Sequence, residues 1–551
     1  MKSVDRVAKP GRPKNTLERR SSGFLHFKAL VLLPLLILGV AYVATRMTPF
    51  FLEAEGLTVS LNTLRVAAGG NLQAALDRVE SGGTIVLDAN ATYSGNFTLP
   101  AKTGSEYITV ETSALESLPP QHVRINPTYS KFLPKIVTPN NDPAIRAGGG
   151  SHHYRFVGLE FRPAPGQNPD DLIQIGPGPE NDLSQVPHDF IFDRVYIHGD
   201  PLEGTKRGIA LNGRSIVVQG SYISDIKREG QDSQALCGWS GPGPFTIVNN
   251  YLEAAGENVM FGGSLTPVRE LLPSDIEIRH NYFYKPFTWK IGHPSQTGKH
   301  WSVKNLLELK CGRRVLIEGN IFENCWPDGQ TGFAFVFKTS AYSASAPWLV
   351  TEDINVVRNV VRHVAQGINL CSTCEGTAGP ARRITFRDNV FEDVGGPKWI
   401  SDPSGGWLLQ VLKGVDSLVF EHNTAFSRGS IIMAEGLPNL NFIFRNNIVF
   451  QGAYGVVGRG SPAGMWTLGT YFPKALFLKN VIVGRDPWGY PGGNFFPRSL
   501  QDVGFYMGAG ADYHLDAASR YKNKGTDNKD PGADIQEVQR ATEGVIAGQM
   551  K

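Results

Sequence analysis

IEIRHNYF (276–283), VLIEGNIF (315–322), ITFRDNVF (384–391) and FIFRNNIV (442–449) share one pattern: alternating apolar residues, a small residue or Asn, then apolar residues again. Alternation with period two marks a strand, because successive side chains then point to opposite faces. The pattern recurs from YRFVGLEF (154–161) to LFLKNVIV (476–483). Its Asn slot falls at 159, 195, 221, 250, 281, 320, 359, 389, 423, 447 and 480, with intervals of 24 to 39 residues. Uneven spacing suits β-solenoid coils, which absorb insertions in the loops between their strands. A β-sandwich would instead place hairpin turns every 8–12 residues or so. Further strands such as SQALC (233–237), NVMFG (258–262), NLLELK (305–310) and FAFVFK (333–338) precede many of the repeats. The expected fold is therefore an all-β, right-handed parallel β-helix of about eleven or twelve coils. Asn in the bend tolerates left-handed backbone and can ladder its amide to the next coil.

The segments flanking the coils define the ends. Asn71-Leu-Gln-Ala-Ala-Leu-Asp-Arg-Val79 reads as a short amphipathic helix opened by Asn71 and suited to capping the first coil. Upstream, Ala29–Thr45 is an uncharged run of 17 residues, which as a helix rises roughly 26 Å, marginal for a membrane span. Nine of the 54 Lys and Arg residues lie in the first fifty positions, against two of the 51 acidic ones. That places the N-terminal side in the cytoplasm and the remainder outside it, in the periplasm or at the cell surface. A cleaved signal peptide competes with the uncleaved anchor, although no clean small-x-small site follows the run. The expected organisation is a basic tail (1–24), a transmembrane signal-anchor (25–46), a linker (47–65), the β-helix (66–535) and a C-terminal tail (536–551). Away from the basic tail the chain is slightly acidic, which argues against nucleic acid as a partner.

Cysteine usage adds little. Five are present, and Cys371-Ser-Thr-Cys374 reads as a local disulfide or two plain thiols, since no second pair or nearby His gives metal spacing.

The run NNYLEAAGENVMFGG (249–263), the coil motif and the ending GTDNKDPGADI (525–535) resemble the pectate-lyase-like superfamily of parallel β-helix proteins. The resemblance implies work on acidic or complex polysaccharide by β-elimination, hydrolysis or binding alone. The R-x-P-x-x-R motif of pectate lyases is not present as a unit.

Two crowded segments supply candidate chemistry. Asp225, Glu229, Asp232 and Glu257 fall at the same loop position of consecutive coils. Grouped carboxylates of this kind could share Ca²⁺, which takes six to eight oxygens, or raise one another's pKa. The plainer reading is a solvated loop with Lys227 and Arg228 as counter-charges. The second segment, 284–301, holds Trp289, Lys290, His293 and Trp301. Aromatic faces suit sugar rings, and Lys or His could take the proton α to a uronate carboxylate. The plainer reading is that the Trp rings pin a long loop. Glu308 and Lys310 alternate with Leu307 and Leu309 and should point outward; His280 lies one segment earlier.

Two functions follow. One is a polysaccharide lyase or hydrolase with Lys290, His293, Asp232, Glu257 and Lys310 as catalytic candidates. Trp289, Trp301, Arg228, His280 and Glu308 would hold uronate-rich substrate, and Asp225, Glu229, Asp232 and Glu257 a Ca²⁺ ion. The other is a non-catalytic glycan-binding or envelope-assembly protein.

Overall fold

The computed structural model describes residues 62–550 apart from 179–181, 267, 295, 297, 485–488 and 507–511. The basic tail and the signal-anchor lie outside the described residues. Among the described residues no helix is long and apolar enough to cross a membrane.

Strands from Thr63–Val66 to Val481–Val483 form three sheets of 14, 13 and 12 strands, in which hydrogen-bonded neighbours come from successive coils. Every pairing between the named strands is parallel, so the chain is a parallel β-helix. One coil shows the path. Ser274–Arg279 lies in the 14-stranded sheet, Tyr282–Tyr284 in the 13-stranded sheet and Leu307–Leu309 in the 12-stranded sheet, before Gly312–Glu318 begins the next turn.

The corner between the first two sheets is fixed by the Asn slot. Asn320 is fully buried. Its Nδ2 donates to Ile278 O (2.8 Å) and to Asn359 Oδ1 (3.0 Å), while its Oδ1 accepts from Asn281 N (2.8 Å). The same bonds join Asn250, Asn281, Asn320, Asn359, Asn389, Asn423, Asn447 and Asn480 into one ladder. A buried amide is costly unless bonded, and each rung satisfies the next. In one respect the corner differs from the expectation. The left-handed residue is the one before the Asn, as at Asn249, His280, Arg358, Asp388 and His422. That residue turns the chain, which frees the Asn side chain to point inward.

Inside the rod, like residues stack on like. Phe386, Phe420, Phe444 and Phe477 follow one another at ring separations of 6.0, 5.2 and 5.0 Å. Leu72–Arg78 is a helix whose N-cap Asn71 accepts from Ala74 N, and it buries Leu72, Ala75 and Leu76 in the same core. At the other end, Ile535–Thr542 is helical and the chain returns along the Asn corner. Arg124 Nη2 donates to the carbonyls of Val545 and Ile546 (both 3.0 Å), and Met550 N donates to His122 O (2.9 Å). Cys371 and Cys374 form a disulfide, while Cys237, Cys311 and Cys325 are free and buried.

Candidate functional site

Polar residues gather on the outward face of the 12-stranded sheet. Register aligns Asp171, Arg207, Gln234 and Glu257 on successive strands. They bond in sequence: Arg207 Nη1 donates to Asp171 (2.9 Å), Arg207 Nε to Gln234 Oε1 (3.1 Å) and Gln234 Nε2 to Glu257 Oε2 (2.7 Å). On the following strand, Met260 pairs with Glu308 and Phe261 with Leu309. Asn305 Nδ2 donates to Glu308 Oε2 (3.0 Å).

Glu257 and Glu308 are the unusual members. Both are fully buried, and in each the Oε1 atom lacks a hydrogen-bond partner. Three ammonium groups stand near those oxygens. Lys304 Nζ is 3.7 Å from Glu257 and 2.5 Å from Asp232, while Lys310 Nζ and Lys338 Nζ are each 3.9 Å from Glu308. Lys338 also pairs with Glu375 at 3.2 Å. Burial, with Glu308 adding to it, pushes the Glu257 carboxyl up to about 7 against the pull of Lys304. Although burial works against the Lys304 ammonium, Glu257 and Asp232 hold it above its ordinary value. A carboxyl that titrates near neutrality beside several cations can exchange a proton and hold an anionic ligand.

The sequence candidates divide. Glu257, Glu308, Asp232 and Lys310 come together on this face, joined by Lys304 and Lys338. The proposed calcium set does not converge. Asp225 is paired with Lys227 at 2.6 Å and Asp232 with Lys304, while the Glu229 backbone forms an antiparallel β-bridge with that of Trp301. Among the described residues, Asp225, Glu229, Asp232 and Glu257 form no group with ligand atoms within 4.8 Å of one another. Arg228 pairs with Asp170 at 2.7 Å.

Trp289 and Trp301 are buried with Ala255, Val303 and Trp326. Both rings face Lys227 Nζ, at 5.4 and 5.1 Å from the ring centres. They pin the 285–303 loop to the rod and offer no open sugar platform. Lys290 donates to the Lys398 carbonyl and lies over Phe287; burial and then Lys398 lower its pKa. His293 packs edge-on against Phe287 at 5.5 Å. His280 belongs to a different corner: it is the left-handed residue before Asn281 and meets the carbonyls of Ala541 and Gln549 at 3.3 and 3.1 Å. A cavity of about 640 Å³ under the C-terminal return, lined by Arg387, Asp388, His422 and Asp530 among others, is separate from the Glu257–Glu308 face.

Lys304, Lys338, Gln234 and Asn305 escaped sequence reading. For Lys338 a signal existed. NLLELK and FAFVFK lie one above the other, with Leu309 paired to Phe337, so their terminal lysines stack.

No family model and no curated protein matches the chain. Solved structures similar to it include the PL6 family alginate lyase AlyGC, 13% identical, with 79% of this chain and 51% of that one covered and a TM-score of 0.42. The chain thus spans about half the length of that lyase. The catalytic unit of the GH87 α-1,3-glucanase from Streptomyces thermodiastaticus strain HF3-3 is 12% identical, with 79% and 70% covered and a TM-score of 0.46. Pectate lyase Pel9A is 13% identical, with 85% and 95% covered and a TM-score of 0.32. The register of its own three sheets makes the protein a parallel β-helix. Its distinguishing feature is a carboxylate–lysine face on the 12-stranded sheet.

Proposed function

We propose that the protein acts on an acidic polysaccharide at the Glu257–Glu308 face, as a uronate lyase. The observation that carries this reading is the pair of fully buried carboxylates, each with an oxygen that accepts no hydrogen bond and is met only by the more distant ammonium groups of Lys304, Lys310 and Lys338. In β-elimination a base takes the C5 proton of a uronate, the C4–C5 double bond forms, and the C4–O4 bond breaks with a proton delivered to O4. Glu257, with its carboxyl near 7, suits the proton exchange. Lys310 and Lys338 suit the substrate carboxylate, whose charge grows toward the enolate. Asp232 and Lys304 then position Glu257.

The test incubates the full-length chain with pectate, alginate, chondroitin and heparin-like polymers, with added Ca²⁺ and with a chelator. The expected result is a rise in ultraviolet absorbance from an unsaturated uronate on at least one polymer. New reducing ends without that absorbance would replace the lyase by a hydrolase, and neither signal on any polymer would sink the enzymatic reading. Because both carboxylates are fully buried, a polymer reaches them only if their cover moves; if it does not, the second reading is a non-catalytic glycan-binding rod, which predicts retention on a polymer without turnover. The tether through residues 25–46 and the extracytoplasmic location belong to the same proposal; recovery of the protein in the soluble cytoplasmic fraction would refute both.

A further inference from the structure

The 14-stranded sheet carries a second cluster with different chemistry. Near the start of successive strands one residue takes the left-handed conformation: His153 (φ 57°), Asp189 (φ 60°) and Ser215 (φ 57°). The register steps over it, with His152 paired to His188 and Tyr154 to Phe190. Each strand therefore begins with a left-handed residue held in register with that of its neighbour, which turns the side chains around it away from the regular alternation. Here the stacking brings His152, His153, His188 and Asp189 together. His188 Nδ1 is 2.6 Å from Asp189 Oδ2, and His153 Nε2 is 3.7 Å from the same oxygen. His153 Nδ1 is 2.7 Å from His152 Nδ1. The His152 and His188 rings stack at 4.8 Å and 6°. All four side chains are partly accessible.

We propose that His153, His188 and Asp189 form a binding site for a divalent transition-metal ion of the zinc type. Their ligand atoms lie within 4.8 Å of one another, as in no other His, Cys, Asp and Glu group of three among the described residues. Zinc bonds of about 2.0–2.1 Å in a tetrahedron set ligand atoms about 3.3 Å apart. The His153–Asp189 separation of 3.7 Å is close to that spacing. The His188–Asp189 contact of 2.6 Å is a hydrogen bond, and it opens by less than about 1 Å when an ion takes the proton's place between the two atoms. His152 completes the arrangement. With Nε2 of His153 turned to the ion, Nδ1 carries the proton and donates to His152 Nδ1, which fixes the ligating tautomer. Two imidazoles and one carboxylate suit Zn²⁺, Co²⁺, Ni²⁺ or Cu²⁺, whereas Ca²⁺ and Mg²⁺ prefer oxygen donors. Three protein donors leave a fourth position for water or for a donor atom of a bound molecule.

The test titrates the full-length chain, free of any histidine tag, with Zn²⁺ by calorimetry and with Co²⁺ by visible absorption. His153→Asn and Asp189→Asn are the variants, since Asn tolerates the left-handed backbone at these two positions. Expected are one equivalent of bound Zn²⁺, visible Co²⁺ ligand-field bands, and affinity weakened by at least about tenfold in both variants. Millimolar Ca²⁺ should not compete. Absence of saturable binding would overturn the proposal. So would binding of undiminished affinity in both variants with unchanged circular dichroism, because it would place the ion elsewhere.

Discussion

Replacing Glu257 by Gln should stabilise the protein at pH 8 and leave its stability unchanged near pH 4. The carboxyl is fully buried, and its folded pKa rises from an ordinary 4.5 to about 7. Between those values the folded state binds more protons than the unfolded state, so stability falls as pH rises through that window and the loss is complete above about 7. At about 1.4 kcal/mol per pH unit, the shift corresponds to a cost on the order of 3 kcal/mol at pH 8. Gln has the shape of the protonated acid and can still accept from Gln234 Nε2, now 2.7 Å from Glu257 Oε2. Lys304 keeps its 2.5 Å contact with Asp232. Glu253 is also raised to about 7, by burial and then by Asp225, but it is common to both proteins and cancels in the difference. Urea unfolding followed by tryptophan fluorescence, at several pH values from 4 to 8, measures the effect. The expected difference between variant and wild type grows from near zero to about 3 kcal/mol. A difference independent of pH, or a variant less stable at pH 8, would refute the burial argument.

Other outcomes follow from the same geometry. Asn320→Ala strands the Ile278 carbonyl and the Asn281 N–H; at about 1–3 kcal/mol for each orphaned group, it should cost about 2–6 kcal/mol. Hydrogen exchange should show lost protection in the adjoining coils. Arg124→Met removes two bonds to the C-terminal carbonyls, a loss of about 1.5–3 kcal/mol for each charged bond, and limited proteolysis should then cut faster within residues 543–550. Lys338→Met should lower kcat for a uronate polymer at least as much as it raises KM, because the proposed role of Lys338, 3.9 Å from Glu308, is to stabilise charge that grows on the substrate carboxylate toward the enolate; unchanged kcat and KM would remove it from the site.

How far the sequence could be read depends on what each residue must satisfy locally. The Asn ladder was legible because from Asn250 to Asn480 one buried amide per coil must meet its neighbours in the coils beside it, which stamps a recurring slot on the sequence. Glu308 and Lys310 were legible for a similar reason, since alternation with Leu307 and Leu309 fixes the face. The long 285–303 loop was legible only in part, since pinning by its Trp rings was one of two readings of that segment. Nothing in its order of residues says that Trp289 and Trp301 close over Lys227 and become core. His280 misled because its left-handed corner position places it under a chain end more than 250 residues away in sequence. Lys304 lies just before a strand, where alternation stops and only the fold brings it to Glu257 and Asp232. His152, His153, His188 and Asp189 fall immediately before two of the repeated segments, where a left-handed residue interrupts the period on which the strand reading rests.

Glu257 and Glu308 are proposed to form a uronate-cleaving centre. Its most direct test is the initial rate of ultraviolet absorbance gain on the preferred polymer, for the full-length chain beside its Glu257→Gln and Glu308→Gln variants at matched folded concentration. Expected are a measurable rate for the wild type and a loss of about 10²-fold or more in Glu257→Gln, with Glu308→Gln also impaired. A wild-type chain that yields no unsaturated product, or variants that turn over at the wild-type rate, would contradict it.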